Sequence, residues 1–374
     1  MKVIHNFFSV LRNFDWLILA LVLVLVSIGL ASIYSIDLSR GETSEFFSTQ
    51  LLATILGLVL FFVAGVFHIA FYRSLAKPLY LVSVILLISV LFLGSTIRGT
   101  TGWFRIGGLS FQPAEFAKLG MIVFQAWWIS KQARRFDRWQ FVLTSGFFTA
   151  VMVCLIALQP DLGSALVMFG IWFGLLFSVG TKKRFLFLLV AGLLAVFLLG
   201  WFFFFKGYQK ERFSTFIDPG RDPLGSGYNV TQSMIAIGSG KFLGRGLGFG
   251  SQSQLHFLPE SQTDFIFSVI AEELGFLGTS AVLLFYFFLL WRLLIIAKKS
   301  RDDFSAYLVL GVLLLYFIQI IINIGGATGL LPITGVTLPF LSYGGSSLLI
   351  NFLLLGIVES VARGGKSRHP LSLE

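Results

Sequence analysis

Ten apolar stretches run the length of this 374-residue chain, at about 15–36, 46–67, 78–94, 113–130, 140–158, 161–179, 185–205, 265–297, 304–325 and 337–361. Each lies near the roughly 20 residues that a helix needs to cross a bilayer, the third being short. In water they would have to be covered by polar surface, and a chain that is 56% hydrophobic and 12% charged carries too little of it. The solvent is therefore mainly lipid, and a soluble enzyme is excluded. Runs such as 18–26 are apolar on every side, and the alternation of a membrane barrel is absent, so the spans read as helices.

The expected fold is an all-α polytopic membrane protein of about ten transmembrane helices, one domain over 1–374. A large ordered extracytoplasmic loop, 206–263, is expected between the seventh and eighth helices. It mixes aromatic residues with Gly-rich turns, a composition that can pack over the outer mouth of the bundle. The connection 325–347 is uncharged yet broken by Gly325-Gly326, Pro332, Pro339 and Gly344-Gly345. Such backbone is expected to dip back into the membrane against protein.

The formal charge is +10, but the basic residues lie at the ends of apolar runs rather than in one tract or on one face. The excess therefore reads as topology and not as nucleic-acid binding. With the N-terminus inside, most of the 28 Lys and Arg fall on the inner side, and both termini are expected to be cytoplasmic. Lys2, His5 and Arg12 ahead of the first span suit an uncleaved signal anchor. The single Cys154 and the scattered His5, His68, His256 and His369 offer neither an internal disulfide nor zinc spacing.

The Gly-rich stretch 238–250 is not a phosphate loop, because Lys241 is followed by Phe242 where Ser or Thr is needed. Gly170 and Gly174 read as helix packing. Charges in or beside spans say more, since insertion of one at the bilayer centre costs about 2.5–3.5 kcal/mol. Glu115 and Lys118, three residues apart after Pro113, share a helix face and can pair, either structurally or for function. Asp161, in the corner Gln159-Pro-Asp, reads as a helix cap. Thr263 or Asp264 can cap the eighth span, the alternative being that Asp264 acts as a general base. Of the two carboxylates that follow, Glu273 is rotated about half a turn from Asp264, leaving Glu272 as its expected neighbour. These features alone fit an enzyme acting on a lipid-anchored substrate, a transporter or a scaffold.

Several strings narrow the choice: Phe111-Gln-Pro-Ala-Glu-Phe-Ala-Lys118, Gln159-Pro-Asp-Leu-Gly163, Asp218-Pro-Gly-Arg-Asp-Pro-Leu-Gly-Ser-Gly-Tyr228, Gly250-Ser-Gln-Ser-Gln254, Phe257-Leu-Pro-Glu-Ser-Gln-Thr-Asp-Phe-Ile-Phe267, Ala271-Glu-Glu-Leu-Gly275 and Leu341-Ser-Tyr-Gly-Gly-Ser346. Together, and in order over almost the whole chain, they resemble the SEDS (shape, elongation, division, sporulation) family of bacterial cell-wall polymerases. The wording before Asp264 is closer to the rod-shape branch than to the division branch.

The resemblance implies ten transmembrane helices in the bacterial inner membrane and peptidoglycan glycosyltransferase activity on lipid II. It also implies a class B penicillin-binding protein as partner, among other elongation-complex membrane proteins. Asp264 matches the family's catalytic aspartate, Glu115 and Lys118 its polar cavity pair, and Asp161 an acidic position in the same region. Asp264 would deprotonate the acceptor 4-hydroxyl, while Lys118, Arg105 or a divalent cation would stabilise the departing diphosphate. No tightly bound cofactor is expected. The chain departs from the family pattern at Gln262, where His is usual, at Gly102, where Arg usually precedes the Trp, and near Thr49, where a basic residue is common. The rivals are a lipid II flippase and a non-catalytic scaffold.

Overall fold

Backbone that cannot trade hydrogen bonds with water closes into helices, and the apolar runs do so here. The structure is a computed structural model that describes residues 14–39, 45–97, 99–106, 109–132, 135–199, 202 and 226–366. Its helices are α1 (Trp16–Ser39), α2 (Glu45–Val66), the short α3 (Ile69–Ser74), α4 (Ala76–Leu93), α5 (Pro113–Ser130), α6 (Trp139–Ala157), α7 (Leu162–Ser178), α8 (Lys183–Leu199), α9 (Ser226–Ser239), α10 (Ser251–Gln254), α11 (Ile266–Lys299), α12 (Asp303–Ala327) and α13 (Gly345–Lys366). Among the described residues seven, α1, α2, α4, α6, α11, α12 and α13, are long and apolar enough to cross a membrane. The chain is a multi-pass membrane protein.

Two expectations are corrected. The fold is mostly helical but not all-α, because Ser95–Ile97, Thr100–Ile106 and Leu109–Phe111 form a three-stranded antiparallel sheet, β1-β2-β3. The run 337–361 is helical only from Gly345, and 328–344 is irregular, as its glycines and prolines dictate. The described part of the long loop includes a helix, α9, which packs along α11. The loop residues 206–225, with the string that starts at Asp218, lie outside the described residues, as do Lys2, His5 and Arg12.

α12 packs on α5, α7 and α11, while α13 lies along α2 and α4 along α5. At the end of the bundle that carries Arg73 and Arg292, ions tie the helices together. Arg292 pairs with the buried Asp15 at 2.6 Å, whose N–H donates to Glu359 Oε2 at 2.9 Å, and Arg73 pairs with Asp302.

The irregular 328–344 segment is held by other elements that bond its backbone. Tyr286 donates to the Pro339 carbonyl at 2.5 Å. Gln50 uses both ends of its amide, Nε2 donating to Ser342 O at 3.1 Å and Oε1 accepting from Gly344 N–H at 3.1 Å. Gly163 lets α7 approach so closely that a Cβ there would lie 2.4 Å from the Thr334 carbonyl.

A second irregularity is the break in α11 at Gly275, where φ is 66° and ψ −163°. The break frees backbone groups on either side of it, and the 241–246 turn takes them. Arg245 N–H donates to Glu272 O at 3.0 Å, Gly246 N–H to Glu273 O at 2.9 Å, Phe276 N–H to Lys241 O at 2.9 Å and Leu277 N–H to Phe242 O at 3.1 Å. Only glycine holds this conformation without strain of about 1–3 kcal/mol. A Cβ at 275 would also sit 2.2 Å from Gly244 N. Gly275→Ala is therefore expected to lower the thermal unfolding temperature in detergent and to expose the 241–250 turn to protease. Parental protection of that turn would show that the break is dispensable.

Candidate active site

The starts of α5, α7, α11 and α13 meet around the 328–344 segment. Pro113 opens α5, and Gln112 before it links two other helices. Its Nε2 donates to Asp161 Oδ2 at 3.1 Å and its N–H to Ser346 Oγ, in the first turn of α13, at 3.3 Å. Ser346 in turn donates to the Ser110 carbonyl of β3 at 2.9 Å. Asp161 caps α7, accepting from Ser164 N–H at 2.9 Å as the sequence led us to expect. The approach to α11 is tied to the same segment, with Ser342 Oγ donating to Thr263 O at 2.6 Å and Tyr343 N–H to Gln262 O at 2.8 Å. Helix N-termini carry the positive ends of the peptide dipoles, so the gathering favours an anion.

Asp264 stands two residues before α11, and neither it nor Thr263 is the cap. The N-cap is Phe265, which supplies no side-chain bond. The Thr263 hydroxyl is directed to Glu260 Oε2 at 3.2 Å instead. Asp264 is half-buried and lines a narrow cleft of about 10 Å³ together with Asn323, Ile333, Thr334 and Gly335. The cleft is at the threshold of what a single water requires.

Glu115 and Lys118 meet as expected. Lys118 Nζ donates to Glu115 Oε1 at 2.7 Å, with the residues only 2% and 5% exposed. At 1.5 Å per residue the pair lies within about 8 Å of the start of α5.

Glu272 is not a neighbour of Asp264 in the cleft, and that expectation is corrected. Its carboxylate accepts from Gln252 N–H at 2.8 Å and Ser253 N–H at 3.1 Å. It thereby holds α10 against α11. Glu273 does face another way, accepting from Ser35, from Gln254 Nε2 at 3.4 Å and from Gly248 N–H at 3.2 Å. Arg105 is exposed on β2, paired in register with Ser110, and is not part of the cleft lining. Among the described residues no group of three or more His, Cys, Asp or Glu side chains comes together.

Sequence reasoning missed the side chains that hold this region together: Gln50, Gln112, Asn323 and Ser342. For Asn323 a signal was available, since an amide inside the apolar α12 needs partners when it is buried.

Comparison with known proteins identifies the family. Residues 13–367 match the cell cycle protein family of FtsW, RodA and SpoVE. The chain is 36% identical over 368 residues to a probable peptidoglycan glycosyltransferase FtsW of Trichlorobacter lovleyi, covering 95% of each chain. Its fold is similar to a chain of a peptidoglycan synthase complex that coordinates polymerization and crosslinking, with TM-score 0.79, 33% identity and coverage of 95% of this chain and 99% of that one. It is also similar to the rod shape determining protein RodA of Thermus thermophilus, with TM-score 0.72, 31% identity and coverage of 95% and 98%.

Breaking a buried pair strands a charge, at a cost of about 3–5 kcal/mol, whereas replacing both partners is close to neutral. Lys118→Met alone is expected to lower the detergent unfolding temperature sharply, and Glu115→Gln with Lys118→Met to recover most of the loss. Equal melting of single and double variants would mean that the two groups are not coupled.

Proposed function

The chain belongs to the cell cycle protein family of FtsW, RodA and SpoVE, and from that membership we propose that it is a peptidoglycan glycosyltransferase that polymerises lipid II into glycan strands. The observation that carries the reading is the placement of Asp264, a half-buried carboxylate on a narrow cleft walled by the approach to α11, the C-terminal end of α12 and residues 333–336. Lipid II is a disaccharide on an undecaprenyl diphosphate. Its polymerisation needs a base for a hydroxyl, a positive environment for a departing diphosphate, and access from the membrane.

In this mechanism Asp264 takes the proton of the acceptor 4-hydroxyl. The oxygen forms its new bond to the anomeric carbon of the donor as the bond from that carbon to the diphosphate oxygen breaks, with inversion. The diphosphate leaves with the bonding electrons, stabilised by the starts of α5, α7, α11 and α13 and by Lys118. Arg105, exposed on the sheet, is a second cation for the diphosphate as it departs. Asp161 holds α7 in place through its cap, and Glu272 acts at a distance by fixing α10 on α11. With a cleft of about 10 Å³, admission of the acceptor requires its walls to part.

The finer features of the reading are ten spans in the bacterial inner membrane, both termini cytoplasmic and the site on the outer side. The role is strand synthesis during elongation and shape maintenance, alongside a class B penicillin-binding protein and other elongation-complex membrane proteins. The wording before Asp264 supports the elongation branch. A flippase reading would want its ion pair near the bilayer midplane, but Glu115 and Lys118 sit in the first turns of α5.

The test is glycan-strand synthesis from labelled lipid II by the purified chain with its penicillin-binding partner. The parent is expected to form polymer and an equally folded Asp264→Asn variant none. Translocation of lipid II in vesicles without polymer would favour the flippase. A reporter fused to either terminus is expected to report the cytoplasm, and an external C-terminus would overturn the span count.

A further inference from the structure

Asn323 lies in α12 and is 4% exposed. Its Nδ2 donates twice, to the Asp264 carbonyl at 3.0 Å and to the Val336 carbonyl at 2.8 Å. Two carbonyl acceptors fix the amide, because only the NH₂ end can serve both, and Oδ1 is left to face elsewhere. That oxygen is buried and has no hydrogen-bond partner among the described residues, and neither has Thr334 Oγ1. Asn323 and Thr334 both line the cleft that Asp264 lines. Buried polar atoms are nearly always paired, and leaving one unpaired costs free energy. Two of them on one cleft, beside a carboxylate, mark a place where a ligand completes the bonding.

We infer that Asn323 and Thr334 form a subsite for one hydroxyl group of the acceptor sugar, with Asn323 also positioning Asp264. The chemistry selects the ligand. A hydroxyl can donate to Asn323 Oδ1 and exchange a second bond with the Thr334 hydroxyl. An apolar group would leave both atoms unpaired, and a carboxylate would be repelled by Asp264. Size agrees, since about 10 Å³ suits a group no larger than a hydroxyl. The backbone of residue 264 and that of residue 336 hang on the same NH₂, so Asn323 sets the carboxylate against the wall that the sugar meets. The inference rests on the glycosyltransferase reading and deepens it by naming what recognises the acceptor.

The experiment measures polymer formation against lipid II concentration for the full chain with its partner in nanodiscs, together with the unfolding temperature. Thr334→Val keeps the side-chain shape and removes a hydroxyl that no described residue bonds. It is expected to lower kcat/KM about tenfold without lowering the unfolding temperature, a combination that a structural role would not produce. Asn323→Ala also loses the hold on residue 264 and is expected to lower kcat/KM about a hundredfold, beyond any loss of folded protein. Parental kcat/KM in Thr334→Val would overturn the subsite. Should the parent itself make no polymer, the polymerase reading falls, and binding of labelled lipid II decides the subsite separately. About tenfold weaker binding by Thr334→Val supports it, and equal binding overturns it.

Discussion

A backbone carbonyl or N–H at membrane depth has no water to turn to, and the whole architecture follows from that constraint. Helices meet it by themselves. The segment 328–344 and the break at Gly275 meet it only through other parts of the molecule. Gln50 from α2, Tyr286 from α11 and Asn323 from α12 hold the first, and the 241–246 turn holds the second. These bonds are long-range, so the irregular segments are fixed to the helices that anchor them. They also give Asp264 its place, because residues 262–264 are tied to 336–343 by side chains that cannot move without stranding a polar group.

Charge is distributed by the same logic. At one end of the bundle Asp15, Arg292, Asp302 and Arg73 join loops and helix ends into ion pairs. At the candidate site the one buried pair is Glu115 with Lys118, and the remaining positive character comes from helix starts rather than from side chains. An arrangement of fixed dipoles suits a diphosphate, which needs stabilisation as it leaves and must not be held afterwards. Glu272 and Glu273 belong to a different task. They accept hydrogen bonds from the segment 248–254 and dock it on α11, which explains two adjacent buried carboxylates with no cation among their hydrogen-bond donors in the described residues.

Much of the fold was legible in residue order. The apolar runs located the helices to within a few residues in most cases, Pro113 marked the start of α5, and Asp161 announced a cap that is present. The spacing of Glu115 and Lys118 was enough to pair them, because a helix puts positions three apart on one face. The sheet at 95–111 was not legible, since short strands carry little periodicity and draw their stability from pairing with one another. Neither the cap of α11 nor the partners of Glu272 were legible, because they depend on where the chain turns before α11 and on which loop lands on which helix.

Residue order by itself determined that this protein lives in a membrane, where its helices run, and which few polar residues must be accounted for. Those properties are local: hydropathy, helical spacing and capping act over a handful of neighbouring residues. The tertiary structure alone decided that Asp264, Asn323 and Thr334 share a cleft, that four helix starts converge on 328–344, and that Glu272 holds a loop. Those facts join residues up to hundreds of positions apart, through hydrogen bonds whose existence depends on the packing of every helix between them.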